Sequence, residues 1–298
     1  MPTATANDIT LHYEDHGDPG DPVILLIMGL GAQMTLWPDE FVETLAGKGF
    51  RVVRYDNRDI GLSQKMDGAK IPDIRWVGLQ AKLGLRARLP YQLTDMADDA
   101  VGLMDALGID KAHIMGASMG GMIAQHVAMR YPERALSLIS VMSTTGNSAL
   151  KPADKDAMDV LIKRPESLDR ESVVAHGVKI ARTLGSPGYP LPEETMRANV
   201  ERDFDRSFYP AGMPRQLAAI VADGDRRMRL RDIALPTLVL HGEGDVLIPV
   251  EHGQDTAAQI PGSKLVTIPG MGHNFPPELW DEVAGIVADF AAEAADGR

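Results

Sequence analysis

Cysteine is absent from the 298-residue chain. Disulfides, thiolate metal sites, iron–sulfur clusters and cysteine nucleophiles are therefore excluded together. Positive charge is also short: 30 Lys and Arg against 42 Asp and Glu give a net charge of −12. No basic field is left to hold a polyphosphate backbone, so no nucleic-acid partner is expected. No apolar run approaches the roughly 18 residues of a membrane span. The start, MPTATANDITLHYEDHG, lacks a basic segment followed by an apolar one. A cytoplasmic protein without membrane attachment is the expectation. No metal-ligand cluster, phosphate loop or dinucleotide fingerprint stands out. Gly29-Leu30-Gly31 lacks the third glycine, so neither a cofactor nor a metal is expected.

What is present is enough apolar material, 44% of residues, to bury a core of one large domain or two small ones. Short strand patterns alternate with helical ones, which implies a mostly parallel sheet covered on both faces. Strands are expected at Asp8 to Glu14, Val23 to Met28, Arg51 to Tyr55, Ala112 to Met115, Leu136 to Met142, Thr237 to Leu240 and Lys264 to Ile268. Helices are expected at Trp37 to Lys48, Thr94 to Leu107, Met119 to Tyr131 and Leu279 to Ala292. Between Asn147 and Ala234 buried strands disappear and charged helical stretches replace them, as in a helical insertion.

Gly116-Ala117-Ser118-Met119-Gly120 falls between a buried strand and a helix. G-x-S-x-G occurs by chance in roughly one chain of this length in ten, so its placement carries the argument. A tight strand-to-helix turn needs small flanking residues and lifts the central hydroxyl above the sheet edge. A serine at such a turn needs a base, and the base needs an acid to orient it. Doubly wound folds with this turn present them in the order serine, acid, histidine. Asp245 follows one C-terminal strand and His273 the next, matching that order. Glu243 is an alternative acid and His241 an alternative base, although His241 lies too near its strand end to reach across the sheet. His113 and His126 read as structural, and His176 and His252 as helix-surface residues, with His176 also able to face a pocket.

With these residues in place, the chain resembles the α/β-hydrolase superfamily over essentially its whole length. IMGLGAQMTLWPDEF, RVVRYDNRDIGLS and GASMGGMIAQ look most like the aclacinomycin methylesterase group of serine carboxylesterases. The resemblance implies Ser118 as nucleophile, His273 as general base and then acid, and Asp245 as its orienter. It also implies an oxyanion hole from the backbone amides of Met119 and Leu30. Met28-Gly29 stands where many relatives have His-Gly, and Asp59 replaces a glycine in D-x-R-G-x-G-x-S. The Asp56 to Ser63 run reads as loop bracing. Serine rather than aspartate at position 118 disfavours dehalogenase and epoxide hydrolase chemistry.

The expected architecture is thus α/β, a doubly wound, mostly parallel sheet with a helical cap inserted after the sixth strand. Residues 1–146 and 235–298 form the core and 147–234 the cap. Trp76, Tyr189, Phe204, Phe208, Tyr209 and Met213 are candidate pocket walls. Residues 65–90 carry six basic and two acidic residues interleaved with apolar ones. On a helix, Arg75, Lys82 and Arg86 fall within about 40° of one another. A second lid is expected there, with a homo-oligomer contact and then membrane-surface attachment as the alternatives. The expected function is a carboxylesterase acting through an acyl-enzyme on a small-molecule ester of small to medium size. A lactonase, a carbon–carbon bond hydrolase or a perhydrolase would use the same triad. A non-catalytic ligand receptor on this scaffold is the alternative of another class.

Overall fold

Uniformly apolar runs of five residues belong where both sheet faces are covered. In the computed structural model, which describes residues 2–296, one such run, Val23–Ile27, lies at the centre of an eight-stranded sheet. The strands are β1 (Thr3–Ala6), β2 (Ile9–His16), β3 (Val23–Ile27), β4 (Arg51–Tyr55), β5 (Ala112–Ala117), β6 (Ala135–Val141), β7 (Thr237–Gly242) and β8 (Lys264–Ile268). Their order is β1-β2-β4-β3-β5-β6-β7-β8. The β1–β2 and β2–β4 pairs are antiparallel, and every pair from β4 to β8 is parallel. From β3 the chain goes first to one side, to β4, and then to the other, to β5. That reversal opens a crevice beyond the carboxyl ends of the strands, where open α/β sheets bind ligands.

The helices are α1 (Asp39–Gly47), α2 (Ile74–Lys82), α3 (Leu93–Ala106), α4 (Met119–Arg130), α5 (Lys155–Ile162), α6 (Arg170–Leu184), α7 (Glu193–Arg206), α8 (Gly212–Asp223), α9 (Arg227–Leu230), α10 (Val250–Gln259) and α11 (Trp280–Asp296). Strand alternation divides the core in two. Leu25, Ile27, Val53 and Ile114 pack with apolar residues of α3 and α4. Ile24, Leu26, Val52 and Met115 pack with those of α1 and α11.

Five helices lie between β6 and β7. Val174 and Val178 of α6 and Met196 of α7 form a small apolar cluster of their own. Ala219 of α8 and Leu230 of α9 belong instead to the main core. Part of the insertion therefore has its own interior, while its return path is seated on the sheet layer. Among the described residues, no helix is long and apolar enough to cross a membrane.

The structure departs from expectation at element ends. Proline at position 38 serves as N-cap, so α1 begins at Asp39 rather than Trp37. Helix α2 ends at Lys82, with Gly84 at φ +67°, so Arg86 lies off the helix and does not share its face with Arg75 and Lys82. Strand β5 runs two residues further, to Ala117, bringing the serine directly to the strand's end. Strand β1 lies outside the expected strands, and helix α10 is implied only by the placing of His252 on a helix, with no expected bounds.

Candidate active site

Ser118 follows β5 with φ +57° and ψ −119°, a conformation non-glycine residues rarely adopt. Its neighbours hold it there. The Ser118 N–H donates to Val141 C=O at 2.9 Å, and the Ser143 hydroxyl donates to Ser118 C=O at 2.8 Å. A Cβ on Gly116 would lie 2.0 Å from Gly120 O, and one on Gly120 would lie 2.0 Å from Ile27 O. Those two contacts explain the glycines of the motif. The serine is the N-cap residue of α4, yet its hydroxyl caps none of the helix amides.

Asp245 and His273 meet across the loops after β7 and β8. His273 Nδ1 donates to Asp245 Oδ2 at 2.6 Å, and the carboxylate side chain is fully buried. The Leu247 and Ile248 amides donate to Asp245 Oδ1 at 2.9 and 2.8 Å. Burial acts to raise the Asp245 carboxyl, but the nearby His273, its hydrogen bond and the Ile248 amide outweigh it and hold the group below the ordinary carboxylate range. The aspartate is thus a fixed anion that orients the imidazole. The His273 N–H itself donates to Leu184 C=O at 2.9 Å, tying this loop to the end of α6. Ser186 adds a second tie, accepting from the Gly272 N–H at 2.9 Å.

The alternatives sit elsewhere. Glu243 is exposed and accepts from the Thr267 hydroxyl at 2.9 Å. His241 is buried with Nε2 2.7 Å from Ile248 C=O, and burial pushes its titration down, so it is a neutral structural group. His113 contacts Ser137 Oγ at 2.8 Å and His126 contacts Asp223 at 2.9 Å, both buried. His252 lies between Thr144 Oγ1 and Lys151 O, at 2.8 and 2.9 Å, rather than on an open helix surface.

The loop after β3 borders the serine: a Cβ on Gly29 would lie 3.1 Å from Ser118 Cβ. Among the described residues, the Leu30 and Met119 N–H groups donate to no other group of the protein. The Asp56 to Ser63 run braces this loop. Asp56 accepts from the Met34 and Leu62 amides, each at 2.8 Å, and Asn57 Nδ2 donates to Met28 C=O at 2.8 Å. Asp59, at φ +72° where the family pattern has glycine, accepts from Arg215 Nε at 2.7 Å and the Tyr91 hydroxyl at 2.8 Å. Gln216 reaches the same loop from α8, accepting from the Gly31 N–H at 2.9 Å. Asn57 falls in the run the sequence marks as loop bracing, whereas nothing in the sequence signals Gln216, because a side-chain amide bound to backbone leaves no motif.

The candidate wall residues divide. A Cβ on Gly31 would lie 2.9 Å from Met213 Cγ, and one on Gly270 would lie 3.5 Å from the Tyr189 ring, so these two adjoin the Leu30 and His273 loops. Phe204 and Phe208 stack on each other with ring centroids 4.9 Å apart. Tyr209 donates to Asp67 at 2.8 Å. Trp76 is 60% exposed on α2. Among the described residues no group of three or more His, Asp or Glu side chains could hold a metal ion.

A strained serine after a central strand, followed in the chain by an acid–histidine pair at the same sheet edge, is the arrangement of one fold family. The chain belongs to it: residues 22–278 match the family model described as alpha/beta hydrolase fold. It is 30% identical to rhodomycin D methylesterase DauP of Streptomyces sp. strain C5, across 96% of this chain and 97% of that protein. It is 29% identical to rhodomycin D methylesterase DnrP of Streptomyces peucetius over the same shares. Among solved structures it is similar in fold to the meta-cleavage product hydrolase of Pseudomonas fluorescens IP01, with TM-score 0.77, 22% identity, and 99% and 98% of the two chains covered.

Proposed function

We propose that the protein is a cofactor-independent serine carboxylesterase that hydrolyses small to medium carboxylic esters through an acyl-enzyme. The observation that carries this reading is the 2.6 Å His273–Asp245 hydrogen bond on the sheet edge that also presents the strained Ser118. Ser118 Oγ attacks the ester carbonyl while His273 Nε2 takes its proton, and Asp245 stabilises the imidazolium through Nδ1–H. The Leu30 and Met119 amides receive the oxyanion, aided by the positive end of α4. The alcohol leaves with the proton from His273. Water, activated by the same histidine, then releases the acid. The methylesterase names of the two relatives support a small alcohol as leaving group. Residues 147–234 act as the cap over this edge, with Met213 and Tyr189 as its nearest walls.

Pre-steady-state release of p-nitrophenol from p-nitrophenyl acetate tests the reading. The wild type gives a burst followed by turnover. Ser118→Ala loses about three orders of magnitude or more in kcat, because a triad acts as a unit, and keeps the wild-type melting temperature. Absence of turnover in the wild type would favour a ligand receptor. A Ser118→Ala variant with a tenth of wild-type activity would remove the serine from its role.

A further inference from the structure

An oxyanion donor helps only if it already points the right way when the substrate arrives. The segment that carries the Leu30 N–H includes Gly29 and Gly31, the latter at φ +67°, and glycines leave backbone free to turn. Each peptide is a rigid plane, so the plane bearing this N–H is set by those on either side. Buried side-chain amides hold both. Asn57 Nδ2 donates to Met28 C=O at 2.8 Å, which fixes the preceding plane. Gln216 Oε1 accepts from the Gly31 N–H at 2.9 Å, which fixes the following one. Gln216 is fully buried and its Nε2 donates to Arg58 C=O at 2.9 Å, so its own orientation is determined. The central plane is bound as well, since Gly29 C=O accepts from the Ala32 N–H at 3.4 Å. In a trans peptide this turns the Leu30 N–H the opposite way, out of the loop's own turn.

We propose that Gln216 is a positioning residue for the oxyanion hole, acting with Asn57 to clamp the Leu30 amide. Through it, the seating of α8 controls the rate of acyl transfer. The proposal rests on the ester-hydrolase reading. Helix α8 adds a second contact at the same point through Met213, next to Gly31.

Gln216→Met keeps the side-chain length and removes both hydrogen bonds. On p-nitrophenyl acetate its kcat falls about ten- to a hundred-fold, with KM within about two-fold of wild type. Its affinity for a trifluoromethyl ketone, whose serine adduct carries an oxyanion, falls by about the factor lost in kcat. Gln216→Glu separates positioning from packing. When protonated, its carboxyl accepts from Gly31 and donates its O–H to Arg58 C=O; when ionised, it sets a negative charge against that carbonyl. Activity of the Glu variant relative to wild type therefore rises as pH falls through its carboxyl titration, while that of the Met variant stays level. A Met variant with kcat within about two-fold of wild type, or with unchanged ketone affinity, overturns the proposal, whatever its melting temperature. A wild type that turns over no ester overturns both readings. An active wild type insensitive to Gln216 overturns this one alone.

Discussion

Glu243 and Asp245 lie two positions apart on one loop, yet they face different surroundings. Asp245 is buried, accepts two backbone amides and holds His273. Glu243 is exposed and bound to Thr267. The difference sets a test at single-residue scale. Asp245→Asn leaves the shape but removes the anion and presents an amide to Nδ1, which favours the wrong tautomer, so kcat falls about 10³- to 10⁴-fold. Glu243→Gln stays within about two-fold of wild type, since an exposed hydrogen bond contributes little. Steady-state kinetics of the two variants checks the pair, and the reverse ordering would move the acid to Glu243.

At the scale of elements, α8 is tied to α4, the helix behind the serine, by ionic groups rather than apolar packing alone. Asp223 ends α8, with His126 Nε2 of α4 2.9 Å from its Oδ1 and Arg226 Nη1 donating to its other oxygen. Arg226 is fully buried and donates Nε–H to Gln125 of α4 at 2.9 Å. Burial acts to raise the Asp223 carboxyl, but His126 and Arg226 prevail and lower it from 3.8 to about 2. A depressed carboxyl contributes stability that is complete above its unfolded value and lost as pH falls toward the folded one. The window is therefore about pH 4 to 2, and the contribution is about 2 kcal/mol. Asp223→Asn leaves the Arg226 charge without its carboxylate and costs about 3 kcal/mol at neutral pH. Melts from pH 7 to 2.5 are expected to show the gap to wild type narrowing in that acid window, and a constant gap would sink the account. Elements with a strong apolar signature were legible in the sequence: VILLI of β3 is buried at every position. Strand β1, TATA, buries only Ala6, and α10 buries only Gly253 and Thr256, so neither shows a periodic apolar face. The strained turn at Ser118 and the Asp245–His273 pair were legible because strand-to-helix turn chemistry is local and acid and histidine each follow a strand of the same edge. Gln216 was not, because its partner at Gly31 lies 185 positions away.

At the scale of the whole molecule, the unusual surface is that of residues 71–85, where Ile71, Trp76, Leu79, Leu83 and Leu85 are exposed in a chain of net charge −12. Helix α2 has two unlike sides. Val77 is 3% exposed, and a Cβ on the adjacent Gly78 would lie 3.7 Å from Val221 of α8, whereas Trp76 and Leu79 are 60% and 45% exposed. Side chains already in water lose little on becoming polar, while a buried valine replaced by serine loses apolar burial and sets an unpaired hydroxyl in the interior. Trp76→Ser with Leu79→Ser is therefore expected to leave the melting temperature within about 2 °C of wild type, while Val77→Ser lowers it by about 5 °C, using ordinary conversion factors for a chain of this length. The double variant should elute earlier from a phenyl column in ammonium sulfate, because the salt strengthens apolar association and the exposed patch is what it acts on. Unchanged retention together with a lowered melting temperature would mean that this face is covered in solution rather than free. A changed preference along a p-nitrophenyl ester series from C2 to C12 would instead show that Trp76 reaches the substrate, since a remote wall matters more to long acyl chains than to short ones.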